Sequence, residues 1–162
     1  HVIHPCAHRQ FYRNYEISGT VDFIFGYGTT LIQTSKLIVR KPDPNQQNIV
    51  VAYGTDQKNM PTGVVLLNCE IIPEAALVPD KMKVRSYLAR PWKAYSRAIL
   101  MENTIGDFIQ MGFFRGKVAC ILTRVSLPST PILKLGLSGV VESLARLMLQ
   151  ITLPTNGSKP TR

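Results

Sequence analysis

Short apolar runs rich in β-branched and aromatic residues recur between residues 9 and 110, and each closes on Gly, Pro, Asn or Asp. This pattern predicts strands rather than helices. The expected strands are Phe11 to Ile17, Val21 to Phe25, Thr30 to Gln33, Lys36 to Arg40, Asn48 to Ala52, Gly63 to Leu67, Glu70 to Ile72 and Arg97 to Glu102. Turn residues interrupt them at Gly26 to Gly28, Lys41 to Gln46 and Asn59 to Gly63, where glycine supplies positive φ and proline fixes it. No segment between them carries the period of a long amphipathic helix. Two or three strands per roughly twenty residues suit a stacked solenoid, although an all-β sandwich fits the pattern alone equally well.

Two segments carry chemistry. Gly19 to Gly26 reads GTVDFIFG and sets one carboxylate, Asp22, in an otherwise core-like strand. An unpaired carboxylate is costly to bury, so Asp22 calls for a cation, strong donors or a catalytic role; a turn-capping or Arg-paired aspartate fits the octapeptide as well. Tyr87 to Arg97 reads YLARPWKAYSR. Pro91 fixes its own φ and drives Arg90 towards an extended backbone, so the guanidinium of Arg90 and the indole of Trp92 project from a stiff segment. A guanidinium can clamp a carboxylate through two parallel hydrogen bonds. An indole face suits the apolar face of a sugar ring. A structural ion pair beside a packed Trp is the alternative reading of this triplet.

Together, and in this order, the segments resemble the plant pectin methylesterases (pectinesterases) from about Arg9 to about Gln110. The resemblance implies a right-handed parallel β-helix with its cleft on one sheet face, incomplete at both ends of this chain. It implies an aspartyl esterase that demethylates homogalacturonan and releases methanol without a metal or organic cofactor. Asp22 falls on the nucleophile, and Arg90 on the arginine that keeps it ionised and aimed. Trp92 falls on a substrate-contacting tryptophan, and Phe25 on an aromatic residue of the cleft. Ala89 replaces the usual glycine beside Arg90. The implied setting is a secreted monomer acting on methyl-esterified homogalacturonan in a plant cell wall, with no membrane or nucleic-acid partner.

The chain departs from the family pattern at both ends. The family's acid/base aspartate lies in a QDTL motif about twenty residues before the nucleophile, and that position falls on His1. Histidine can exchange protons near neutral pH, but a terminal residue is usually mobile, so the first 22 residues supply half of a catalytic pair. After Gln110, the family's GEY, GPG and ARVKW-like segments do not appear. Leu133 to Gly139, back-translated and regrouped in another frame, gives Glu-Ala-Arg-Val-Lys-Trp. The expected organisation is therefore a partial pectinesterase domain over 1–110 and a non-matching tail over 111–162, produced by a frame slip just after Gly112 to Phe114. The alternative to an esterase is a non-catalytic relative that still grips polygalacturonate through Arg90, Trp92 and Phe25.

Charge adds little. The formal net charge is +9. Residues 1–110 carry 12 Lys and Arg against 9 Asp and Glu, and residues 111–162 carry 7 against Glu142 alone, so two thirds of the excess lies in the tail. Aromatic residues interleaved with lysines, as a nucleic-acid binder needs, are missing. The Leu133 to Leu153 stretch reads as an amphipathic helix whose Lys134, Glu142 and Arg146 argue against a membrane span. Cys69, in an apolar run, reads as a buried thiol. Cys6, Cys69 and Cys120 make no disulfide framework, His4 and His8 read as surface residues, and the Asn156 sequon lies in the tail. A solenoid without its neighbouring coils and caps exposes apolar edges. The isolated chain is expected to self-associate, which size-exclusion chromatography and a thermal melt will test; a monomer that melts cooperatively would refute it.

Overall fold

A computed structural model describes residues 2–6 and 8–110 and the backbone of 118–123. The chain winds as a right-handed parallel β-helix whose coils stack three parallel sheets. One sheet contains β1 (Arg9–Arg13), β4 (Thr29–Gln33), β7 (Gly63–Leu67), β10 (Ser96–Met101) and β12 (Val118–Thr123), in that spatial order. The second contains β2 (Glu16–Gly19), β5 (Lys36–Val39), β8 (Glu70–Pro73) and β11 (Thr104–Ile105). The third, which carries the candidate site, contains β3 (Val21–Gly26), β6 (Asn48–Tyr53) and β9 (Ser86–Pro91).

Register sets the coil length. Arg9 pairs with Thr29, Thr29 with Gly63, and Val64 with Ala98, so successive coils take 20, 34 and 34 residues. The longer coils spend their extra residues in loops beside the strands, including a short 3₁₀ turn, Val78–Asp80. Inward-facing side chains from each coil fill the tube: Ile17, Leu37 and Ile71 from the second sheet, Ile32, Leu66 and Leu100 from the first, and Ile24 and Val51 from the third are all essentially buried. Sheets buried on both sides read as continuous apolar runs rather than alternating ones, as in the fully buried β6.

Each coil turns from the first sheet to the second at one residue with a left-handed backbone. Asn14, Thr34, Asn68 and Glu102 have φ of 60°, 48°, 51° and 56°. Hydrogen bonding between coils continues through this corner: Asn14 N–H donates to Gln33, Thr34 N–H to Leu67, and Asn68 N–H to Met101. The next residue on each coil forms a ladder, Tyr15, Ser35, Cys69 and Asn103. Ser35 Oγ accepts from Tyr15 N–H at 3.1 Å, and Asn103 Oδ1 accepts from Cys69 N–H at 2.8 Å. Cys69 is the buried thiol expected, and burial pushes its pKa up.

Three differences from the sequence reading have physical causes. The run Phe11 to Ile17 is two strands, because the Asn14 corner divides it. Residues 86–91 form β9, although Pro91 lacks an amide hydrogen; it is tolerated as the last residue of an edge strand. Beyond β10, β11 and β12 continue the second and first sheets. The sequon and the 133–153 stretch lie outside the described residues.

Tyr53, at the end of β6, closes the core beneath the site. Its hydroxyl lies 2.8 Å from Thr30 Oγ1, and burial pushes its pKa up to about 12 despite that hydrogen bond. The folded chain therefore holds this proton to a higher pH than the unfolded chain, whose tyrosines titrate near about 10, so stability is lost as pH rises through that interval. Denaturant unfolding at about pH 9.5 and about pH 11 is expected to show a fall that is roughly 1 kcal/mol smaller in Tyr53→Phe. Equal falls in both proteins would contradict it.

Candidate active site

Asp22 sits at a bulge. Val21 pairs with Ile49 and Ile24 with Val51, so Asp22 and Phe23 together oppose Val50. Asp22 has φ of 53°, a conformation that costs a non-glycine residue of order 1 kcal/mol and is tolerated best by Asn and Asp. The bulge re-aims the Asp22 carboxylate across the sheet.

Arg90 receives it. Phe25, Ala52 and Arg90 share one rung of β3, β6 and β9, and Ala52 contributes only a methyl group between the two larger side chains. Arg90 Nε donates to Asp22 Oδ1 at 2.9 Å, and Nη2 donates to Oδ2. Both side chains are part-buried, at 38% exposure for Arg90 and 21% for Asp22. A two-point contact of this kind fixes orientation as well as charge.

Aromatic rings edge the ion pair. Phe25 meets Trp92 edge-on, with ring centroids 6.0 Å apart and planes at 89°. Trp92 is 44% exposed, and its backbone N–H donates to the Tyr53 carbonyl. A clasp of two loops holds it. Thr55 and Tyr95 exchange two backbone hydrogen bonds of 2.9 Å, and Lys93 Nζ pairs with Asp56 at 2.7 Å while lying 5.5 Å from the indole centroid. Gly54 lets the loops approach, since a Cβ there would come within 2.7 Å of the Lys93 nitrogen.

Of the residues singled out from sequence, Asp22, Arg90, Phe25 and Trp92 come together; His1 lies outside the described residues. The sequence reading missed His4, whose ring stacks on Phe25 at 4.2 Å and 17°. Ile3 pairs with Ile24, donating its N–H to Phe23 and accepting from Phe25 N–H. The pairing of Ile3 with Ile24 is an offset of 21, the same count that separates His1 from Asp22 in the sequence; applied to Phe25, that count would have found His4. Among the described residues, no group of three or more His, Cys, Asp or Glu could hold a metal ion. A cavity of about 480 Å³, lined by Lys41, Asp43, Asp80, Lys83 and Arg85 among others, lies where β6 and β9 begin, away from Trp92 at the far end of β9.

A family model described as Pectinesterase matches residues 2–120. The chain belongs to the pectinesterase family. This pectinesterase chain is 48% identical over 103 residues to a probable pectinesterase/pectinesterase inhibitor 58 of Arabidopsis thaliana, covering 64% of the chain and 18% of that relative. Its fold matches a pectin methylesterase from carrot with a TM-score of 0.69 and 31% identity, over 78% of the chain and 43% of that structure. A pectin methylesterase solved in complex with a hexasaccharide matches with a TM-score of 0.71 and 22% identity, over 93% of the chain and 53% of that structure. The chain thus spans about a fifth of the length of the curated relative and about half of each solved structure. No helix among the described residues is long and apolar enough to cross a membrane.

The part-buried setting places the Asp22–Arg90 pair between an exposed pair, worth up to about 1 kcal/mol, and a buried one. A double-mutant cycle on Asp22→Asn and Arg90→Met, read by denaturant unfolding, is expected to give a coupling of about 1–3 kcal/mol. A coupling indistinguishable from zero would remove the pair as a structural constraint.

Proposed function

We propose that this chain is the cleft-bearing part of a pectinesterase, in which Asp22 attacks the C6 methyl-ester carbonyl of a galacturonate unit. The observation that carries the reading is the two-point contact between Arg90 and Asp22 beside the Phe25–Trp92 edge. A carboxylate nucleophile needs its charge preserved and one oxygen aimed, and a guanidinium fork serves both needs. Attack forms an acyl-enzyme and expels the methoxy group as methanol once a proton is supplied; water then hydrolyses the acyl-enzyme, regenerating Asp22 and leaving a free uronate. Trp92 and Phe25 offer apolar faces to the sugar rings. The polymer is methyl-esterified homogalacturonan, the protein acts as a secreted monomer in the plant cell wall, and the chemistry uses no cofactor.

One observation favours a second reading. The residue 21 positions before Asp22, where the family resemblance puts the acid/base aspartate, is His1, so the chain can grip polygalacturonate while lacking the acid that expels methanol. Methanol release from highly esterified pectin, measured beside pectin binding, separates the two. The esterase reading expects release that Asp22→Ala reduces at least about a thousandfold, the usual scale for removing a nucleophile. Binding without release would establish the binding-only relative, and the absence of both would overturn the pectin assignment.

A further inference from the structure

We propose that His4 is a pH-dependent subsite for a free uronate carboxylate, one that makes the cleft hold de-esterified galacturonan more tightly as pH falls. The inference rests on the pectin reading above and adds a recognition element to it. Backbone pairing of Ile3 with Ile24 fixes the segment before β1 as a further strand of the site-bearing sheet. The Pro5 carbonyl anchors it by accepting from Tyr27 and Gly28 N–H, close against Gly26, where a Cβ would lie 2.4 Å from that oxygen. His4 thereby falls beside Phe25 on the rung that ends at Arg90.

His4, Phe25 and Trp92 form a continuous row of rings, stacked at one junction and edge-on at the other. His4 is exposed, and its ring lies against Phe25 on one side and near Cys6 Sγ, 3.3 Å from Nδ1, on another. An exposed imidazole stacked on a phenyl ring presents an apolar face and a polar edge together. A sugar ring with a carboxylate substituent has the complementary pair of features.

The charged groups along the aromatic row are already paired with one another. Asp22 on β3 is engaged by Arg90 of β9 in the two-point contact. Lys93, at the far end of the aromatic row, is held by Asp56. Cys6 and His8 share the segment with His4, and Tyr27 follows β3. Among the described residues no carboxylate contacts His4. Histidine gains its charge between about pH 8 and about pH 5, an interval in which a uronate carboxylate, like other carboxylates, stays ionised. The imidazolium and a free uronate then attract, whereas a methyl ester at the same place gains nothing.

The test uses the whole 162-residue chain and two oligogalacturonates of one length, one fully de-esterified and one fully methyl-esterified. Affinities are measured calorimetrically at about pH 7.5 and about pH 5.5 at constant ionic strength. For the de-esterified oligomer, affinity is expected to rise about three- to fivefold at the lower pH, the scale of one exposed ion pair; for the esterified oligomer it should not change. His4→Phe keeps the stacked ring and is expected to bind both oligomers with no pH dependence. An unchanged pH response in His4→Phe, or none in the parent chain, would overturn the role of His4 while leaving the pectin reading in place. Failure of the parent to bind either oligomer at either pH would overturn both.

Discussion

Every feature of this chain depends on one constraint: each coil must hydrogen-bond in register to the next. Parallel ladders evenly spaced along the strands leave no freedom to slide, because a one-residue slip would send every inward side chain to the outer face. The corner residues show how strictly the rule is kept. Asn14 and Asn68 suit a left-handed backbone, but Thr34 and Glu102 do not, yet all four adopt it and three of them pass a hydrogen bond to the next coil at that point. The stacked ladder outweighs a local preference of about 1 kcal/mol. The same ladder brings Phe25, Ala52 and Arg90, which are distant in sequence, onto a single rung.

The site uses this rigidity by breaking it at one point. Asp22 is the residue at which register between β3 and β6 shifts, and it sits at positive φ in an otherwise regular sheet. Local strain of this kind persists only where surrounding structure over-determines it. Here the flanking pairs Val21–Ile49 and Ile24–Val51 fix the backbone on both sides, and Arg90 fixes the side chain. A straight strand would have alternated Asp22 into a fixed face; the bulge instead lets its carboxylate reach the guanidinium two strands away.

Much of this was legible in the residues. Val, Ile, Phe and Leu runs closed by turn residues announced β3 to β8 and β10, while β1 and β2 were read as one run and β11 and β12 were not read at all; GTVDFIFG with ARPW marked both halves of the ion pair. Four features were not legible. The Asn14 corner is invisible inside an unbroken polar–aromatic run, because an αL residue leaves no periodicity signal. β9 was hidden by Pro91, whose tolerance depends on its being the last residue of an edge strand, a tertiary fact. The contact of His4 with Phe25 needs the coil offset of 21, which becomes a spatial statement only once the solenoid register is known. The Lys93–Asp56 clasp joins two loops whose approach requires Gly54, and no local pattern encodes it.

In a solenoid each coil touches only its neighbours, so stability and geometry are nearest-neighbour properties. That locality bears on how the ion pair and the aromatic row relate. The Asp22–Arg90 pair and the Phe25–Trp92 edge are fixed by contacts among β3, β6 and β9 and by the loops that clasp Trp92. Because His4 touches Phe25 rather than the ion pair, a change at His4 leaves the Asp22–Arg90 contact in place. The ion pair and the aromatic edge thus draw on the same two strands, β3 and β9, with His4 added from the coil before, so one register fixes both features together.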